Sequence, residues 1–334
     1  MADYKDIIGL DVEVKSTDPG NPSEGQVWFN TAGDLKYKKG ITGGTWSTGG
    51  DLVNGRRLLA GSGTQTAGLA FGGSSVPTNY RAYTETYNGS SWSEVADLNQ
   101  ARDHTTGFGT QTASICAGGF HSPPSSRQKV VESWDGSSWT EVGDLNEVKR
   151  EMASCGTSTA GLVFGGELPS PFSAENESWN GSSWTELADL NTARQRPGGA
   201  GLQTAALCFG GDKSPATTYS DDTELWNGSS WTEVGDMNTA RNGHGGMGTS
   251  TKAMACGGYA GTAGIGITEQ WNGSSWTEIA DLGTGRYGPF SAQAGPSTFA
   301  SAIGGAVGPL DSMTTAVEDF NGVGAVLTKT ISTD

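Results

Sequence analysis

The side chains that could do chemistry in this 334-residue chain are few and scattered. Four cysteines, Cys116, Cys155, Cys208 and Cys256, lie far apart, and none stands in a CxxC or CxH spacing. Zinc ligation and thiol redox chemistry need such clusters, so these residues are read as small buried apolar side chains. The absence of paired cysteines fits assembly in a reducing cytosol. Three histidines, His104, His121 and His244, have no recurring carboxylate beside them. No Ser-His-Asp order, phosphate-binding loop or dinucleotide fingerprint is present. Among 36 carboxylates no pair is singled out for glycosidic cleavage. No catalytic residue, metal site or cofactor is therefore expected, and the chain is read as a non-enzyme. Glycosylation-like triplets begin at Asn88, Asn176, Asn180, Asn227 and Asn272, but four of the five fall in a repeated turn.

That turn belongs to a unit that recurs six times. Gly-Gly pairs stand at Gly72, Gly118, Gly165, Gly210, Gly257 and Gly304, 45 to 47 residues apart. Ten to twelve residues separate each pair from a glutamate, with an aromatic two further on, as in Glu85 and Tyr87 or Glu132 and Trp134. NGSSW or DGSSW follows in five units, ending at Trp92, Trp139, Trp184, Trp231 and Trp276. Asn-Gly and Asp-Gly favour positive φ, so each unit contains a tight hairpin with tryptophan on its outgoing strand. An aspartate and an arginine come next: Asp51 and Arg56, Asp97 and Arg102, Asp144 and Arg150, Asp189 and Arg194, Asp236 and Arg241, Asp281 and Arg286. With a strand after the arginine and another running into Gly-Gly, each unit has four short strands, the pattern of a propeller blade. His104 and His244 would then lie on the first strands of the second and fifth blades, facing each other across a channel too wide for one metal.

Gly-Gly, an aromatic and then a tryptophan resembles the kelch motif, over residues 51 to about 322. The wording GTQTAGLAFGG with WNGSSWTELADLNTAR is similar to a kelch-type group in tail-fibre and other virion proteins of marine bacteriophages. TDPGNPSEGQVWFNTAGDLKYKKG resembles the hairpin that begins many phage tail proteins. SWDGSSWT at residues 133–140 resembles the Asp-box of sialidases, which marks a hairpin and not a catalytic site. These resemblances imply an all-β, six-bladed kelch-like β-propeller with a short N-terminal β-hairpin extension. Residues 1–50 would be a virion-docking segment, and residues 51–334 the propeller, with blades at about 51–96, 97–143, 144–188, 189–235, 236–280 and 281–334.

Trp46 precedes Asp51 by the same five residues that separate Trp92 from Asp97, whereas the last unit has Ala325 where tryptophan is expected. The strand around Trp46 is therefore expected to be, or to pack beside, the outer strand of the last blade. The hairpin tryptophans should pack between blades, and the repeated arginines and aspartates should make inter-blade hydrogen bonds.

Function is expected where the copies differ. The connection from second to third strand varies freely, and all six must emerge on one face. Its candidate ligand- or receptor-binding residues are Tyr80, Arg81, Phe120, His121, Arg127, Phe172, Lys213, Tyr219 and Tyr259. Neutral drift would explain the same variation. The formal charge is −16, of which −15 lies beyond residue 57, so nucleic acid is disfavoured as a partner. No long apolar run or secretory leader is present, so no membrane insertion is expected. The expected partners are other virion proteins and a host surface glycan or protein, in a particle assembled in the host cytoplasm. The resemblance to phage fibres implies a homo-trimer. A purely structural virion component is the alternative, and a polysaccharide-degrading enzyme a third reading.

Overall fold

The computed structural model describes residues 44–322, apart from 76–78, 123–125, 170–171, 214–217, 289, 292–298 and 309–311. It also describes strand backbone at 13–14, 27–29, 35–39 and 327–331. Among the described residues every regular element is a strand, and six four-stranded antiparallel sheets follow one another along the chain. Blade 1 contains Ala60–Thr64, Ala67–Phe71, Thr84–Tyr87 and Trp92–Glu94, from the axis outwards. The inner strands of blades 2 to 6 are Thr106–Thr110, Ala153–Thr157, Gly198–Leu202, Gly245–Thr249 and Phe290–Ser291. Each packs on the next, and Phe290–Ser291 packs back on Ala60–Thr64, which closes the ring.

The repeated sequence features account for this geometry. Gly72 and Gly73 both have positive φ, and a Cβ on Gly72 would lie 2.8 Å from the Arg102 carbonyl oxygen, so only glycine fits. In the outer hairpin Asn88 Oδ1 accepts from the amides of Ser90 and Ser91 at 3.0 Å, and Gly89 has φ +91°. Asp135 does the same in blade 2. The Ser137 hydroxyl and the Ser137 and Ser138 amides hold its carboxyl down at about 2, so Asn and Asp are interchangeable there.

The tryptophans do pack between blades. Trp139 of blade 2 donates from Nε1 to Thr84 Oγ1 of blade 1 at 3.0 Å, and its ring lies 4.8 Å from Phe71. Trp276 of blade 5 repeats the arrangement with Thr223 and Phe209 of blade 4. Each buried ring contributes about 2 to 3 kcal/mol by burial.

The arginine ladder is ionic. Arg56, Arg102, Arg194, Arg241 and Arg286 are fully buried, and each pairs with the glutamate of the third strand in the blade it leads into: Glu85, Glu132, Glu224, Glu269 and Glu318. That glutamate also accepts from the connection's backbone, as Glu132 does from Asn99 N at 2.7 Å. In the remaining copy the buried cation is Lys149, paired with Glu177 at 2.6 Å, and not Arg150. Lys149 stands five residues after Asp144, as the arginine stands five after the aspartate in every other copy, so matching by residue type and not by spacing selects the wrong cation, Arg150. The aspartates act within their own blade: Asp97 accepts from Thr84 N and Asp281 from Thr268 N.

The N-terminal segment closes the last blade. Thr45–Thr48 pairs antiparallel with Val317–Asn321, placing Trp46 opposite Phe320 with ring centres 5.2 Å apart. Trp46 Nε1 donates to Thr268 Oγ1 of blade 5 at 3.2 Å and to Ala280 O at 2.9 Å, as an outer-strand tryptophan should. Ala325 lies outside the described residues. The expected N-terminal hairpin is present, with Val27–Phe29 antiparallel to Leu35–Lys39. The last blade, however, does not extend to residue 334: Leu327–Ile331 pairs with Leu35–Lys39 and joins the two chain ends in a separate sheet.

Candidate functional site

Two residues beyond each buried cation the backbone turns left-handed: Leu58, His104, Glu151, Arg196, Gly243 and Gly288 have φ between +50° and +61°. These six residues hydrogen-bond in a closed circle around the axis, each amide donating to the preceding carbonyl. The distances are Leu58 to Gly288 3.3 Å, His104 to Leu58 3.0 Å, Glu151 to His104 3.0 Å, Arg196 to Glu151 2.8 Å, Gly243 to Arg196 3.1 Å and Gly288 to Gly243 2.9 Å. The left-handed conformation costs a non-glycine residue about 1 kcal/mol, yet four of the six have side chains. At Gly243 a Cβ would lie 2.4 Å from the Tyr287 ring, so glycine makes room for that ring.

Above this circle, on the side of the second-to-third strand connections, lies a cup of about 380 Å³. Its lining comprises Arg57, Leu58, His104, Gln195, Arg196, Asp212, Tyr219, Asn242, Tyr259 and Tyr287. Two smaller cavities of about 110 Å³ continue inward along the axis, sharing lining residues in series.

One wall of the cup is aromatic. Tyr219 and Tyr259 meet edge-to-face at 5.9 Å, and Tyr259 and Tyr287 at 6.0 Å. Burial pushes the Tyr287 hydroxyl up to about 12. The floor is an ionic chain. His104 Nδ1 lies 2.7 Å from Asp103, His104 Nε2 3.1 Å from Glu151, and Arg196 donates to Glu151 at 2.7 Å. Burial opposes the imidazolium of His104, but bonds to Asp103 and Glu151 outweigh it and raise the pKa. Burial likewise opposes the Glu151 carboxylate, yet His104 and Arg196 hold it at about 2. Asp212 accepts from Asn242 at 2.8 Å and Gln195 at 3.1 Å, while burial raises its carboxyl. Below the floor His244 lies against Phe209, with ring centres 5.5 Å apart, and burial with the nearby Arg241 charge lowers its imidazole to about 3.

Of the nine residues expected from the variable connections, Tyr219 and Tyr259 line this cup. Tyr80, Phe120 and Arg127 belong to a second group on the same face. Tyr80 lies 5.8 Å from Phe120, Arg150 stacks over Phe120 at 4.9 Å, and Glu167 bridges Arg127 and Arg150. Phe172 pairs with Glu167 through the backbone. Arg81 donates to Ser75 Oγ at 2.6 Å, His121 contacts the Ala101 carbonyl, and Lys213 pairs with Asp222. The connections are not free loops. All six form short ribbons or bridges against the segment leading into their own blade, such as Arg194–Gln195 with Asp212–Lys213. His104 and His244 also differ from expectation: both precede their inner strands, occupy neighbouring and not equivalent positions, and line one shared cavity.

Most of the cup comes from the first and second residues after the buried cation. Read down the copies, these columns are Arg57, Asp103, Arg150, Gln195, Asn242, Tyr287 and Leu58, His104, Glu151, Arg196, Gly243, Gly288. Their chemical diversity beside an invariant cation is a sequence signal, hidden by the misplacement of Lys149.

The buried cysteines are all free thiols, and burial drives the Cys208 thiol up to about 12, which removes thiolate reactivity. Three acidic residues, Asp222, Glu233 and Asp236, approach one another, but Asp222 already holds Lys213.

No family model matches the chain, and no curated protein matches it. Among solved structures it is similar to YjhT, at 10% identity and a TM-score of 0.68, over 84% of this chain and 99% of that one. At that identity the likeness carries architecture alone, and with the closed circle of sheets it establishes that this chain is a β-propeller.

Proposed function

We propose that the chain is a non-enzymatic recognition module of a bacteriophage virion, a tail-fibre or receptor-binding component whose variable face takes a host surface glycan or protein. The observation that carries this reading is the axial cup, where an aromatic wall faces a floor of fixed polar groups, the usual make-up of a ligand pocket. The ribbons that brace the connections favour recognition, because a preorganised surface loses less entropy on binding. Catalysis is disfavoured by the locked floor. Glu151, held at about 2, is a weak base at neutral pH, and both ring nitrogens of His104 are taken up by the carboxylates of Asp103 and Glu151. The virion assignment rests on the kelch-type repeat and the tail-protein-like N-terminal stretch. Residues 1–50 would dock to other virion proteins, and several copies, as in a trimer, would strengthen weak contacts.

The test is binding of the full-length chain to candidate host cells. Binding that the Tyr219→Ala and Tyr259→Ala variants lose supports the reading. No cell binding, with tight association to other virion proteins, would establish the structural alternative. Sugar release from host polysaccharide would revive the enzyme.

A further inference from the structure

We infer that the cup takes one uncharged, hydroxyl-rich sugar residue end-on, the terminal unit of a glycan. This rests on the recognition reading and narrows its ligand.

Three buried polar atoms at the cup and its neck have no partner in the protein: Glu151 Oε2, Asn242 Oδ1 and Arg196 Nε. Both acceptors belong to residues more than nine-tenths buried. Both nitrogens of His244, one cavity further in, are also unsatisfied. A buried acceptor without a donor costs stability, so a ligand that supplied partners to these atoms would recover that cost. They ask for donors and an acceptor within one small space. A hydroxyl group supplies both functions, and a sugar ring presents several.

The charges of the floor point the same way. His104 and the Arg196 cation are both engaged by Glu151, and His104 also by Asp103. Asp212 is held by two side-chain amides. An ionic ligand at His104, Arg196 or Asp212 would have to break one of these buried contacts, whereas a neutral ligand leaves them intact. The tyrosine wall offers ring surface for the apolar face of a pyranose. A volume of about 380 Å³ is near the lower end for ligand pockets, and the circle of six backbone hydrogen bonds narrows the cup at its base. The ligand therefore enters by its end and not by its middle.

The test uses the full chain with methyl glycosides of glucose, galactose, mannose and N-acetylglucosamine, followed by saturation-transfer NMR and calorimetry, with glucuronate as the charged comparison. At least one neutral glycoside should bind with a millimolar dissociation constant. Tyr259→Ala should weaken it about tenfold or more, and Lys252→Ala, exposed and outside the cup, should not. Circular dichroism checks that both variants fold. The inference is overturned if no neutral glycoside binds at millimolar concentration, or if glucuronate binds more tightly than the matching glucoside. Cell attachment that survives Tyr259→Ala, with no glycoside bound, sinks this inference and spares the recognition reading. Glycoside binding without any cell attachment does the reverse.

Discussion

Lys149 and Arg150 are adjacent cations with opposite fates, and burial separates them. Lys149 is sealed between Glu175 and Glu177, whereas Arg150 lies partly open over Phe120. Lys149→Ala would strand a buried carboxylate and should cost about 3 to 5 kcal/mol in urea unfolding. Arg150→Ala should cost about 1 kcal/mol or less. The two histidines titrate in opposite senses. His244 holds about 3 in the fold against 6.5 in the unfolded chain, so below pH 6.5 the unfolded state binds a proton that the fold refuses. That stability is lost as pH falls from 6.5 towards 3. The pKa of His104 is raised, so its contribution is full below 6.5 and fades as pH rises through the folded value. Urea midpoints between pH 7 and 4 should therefore fall less steeply for His244→Asn than for the parent, and more steeply for His104→Asn.

The strand Thr45–Thr48 shows how one repeated residue specifies an element's place. Trp46 occupies the outer-strand position of a blade whose other strands lie more than 240 residues further along the chain. Trp46→Ala should lower stability by about 2 kcal/mol in thermal or urea unfolding, since the ring is half-buried against Phe320 and hydrogen-bonded to blade 5. Five residues of spacing were enough to anticipate that strand, because a tryptophan on a tight hairpin strand has one role in every copy. The short ribbons of the variable connections could not be anticipated in the same way. Ser74–Ser75 with Asn79–Tyr80, or Asp212–Lys213 with Thr218–Tyr219, share no residue pattern, and their pairing is set by the neighbouring segment they lie on.

Closure makes the propeller one cooperative body, since each inner strand has two neighbours only when the circle is complete. Removal of residues 1–43 leaves the closing strand in place and should preserve a sharp thermal transition. Removal of residues 1–50 takes the outer strand from blade 6 and should broaden the transition and lower its midpoint by several degrees, as scanning calorimetry would show. A propeller fragment beginning at residue 51 is accordingly the wrong one for binding studies. The excess of acidic over basic side chains acts over the full surface, so the chain should show no retention on duplex DNA at physiological salt.

Taken alone, the amino-acid order determined the six units, their hairpins, the inter-blade tryptophans and the closing strand, because each follows from local spacing that recurs in register. It could not determine the cup. Leu58, His104, Glu151, Arg196, Gly243 and Gly288 stand 45 to 47 residues apart, and no short motif links any two of them. They become neighbours only because six successive blades turn the chain through a full circle and the same left-handed residue faces the axis each time. His104, Glu151 and Arg196 are ordinary surface residue types in the sequence. Ring closure buries them together, and burial turns them into a floor of paired charges with unsatisfied polar atoms.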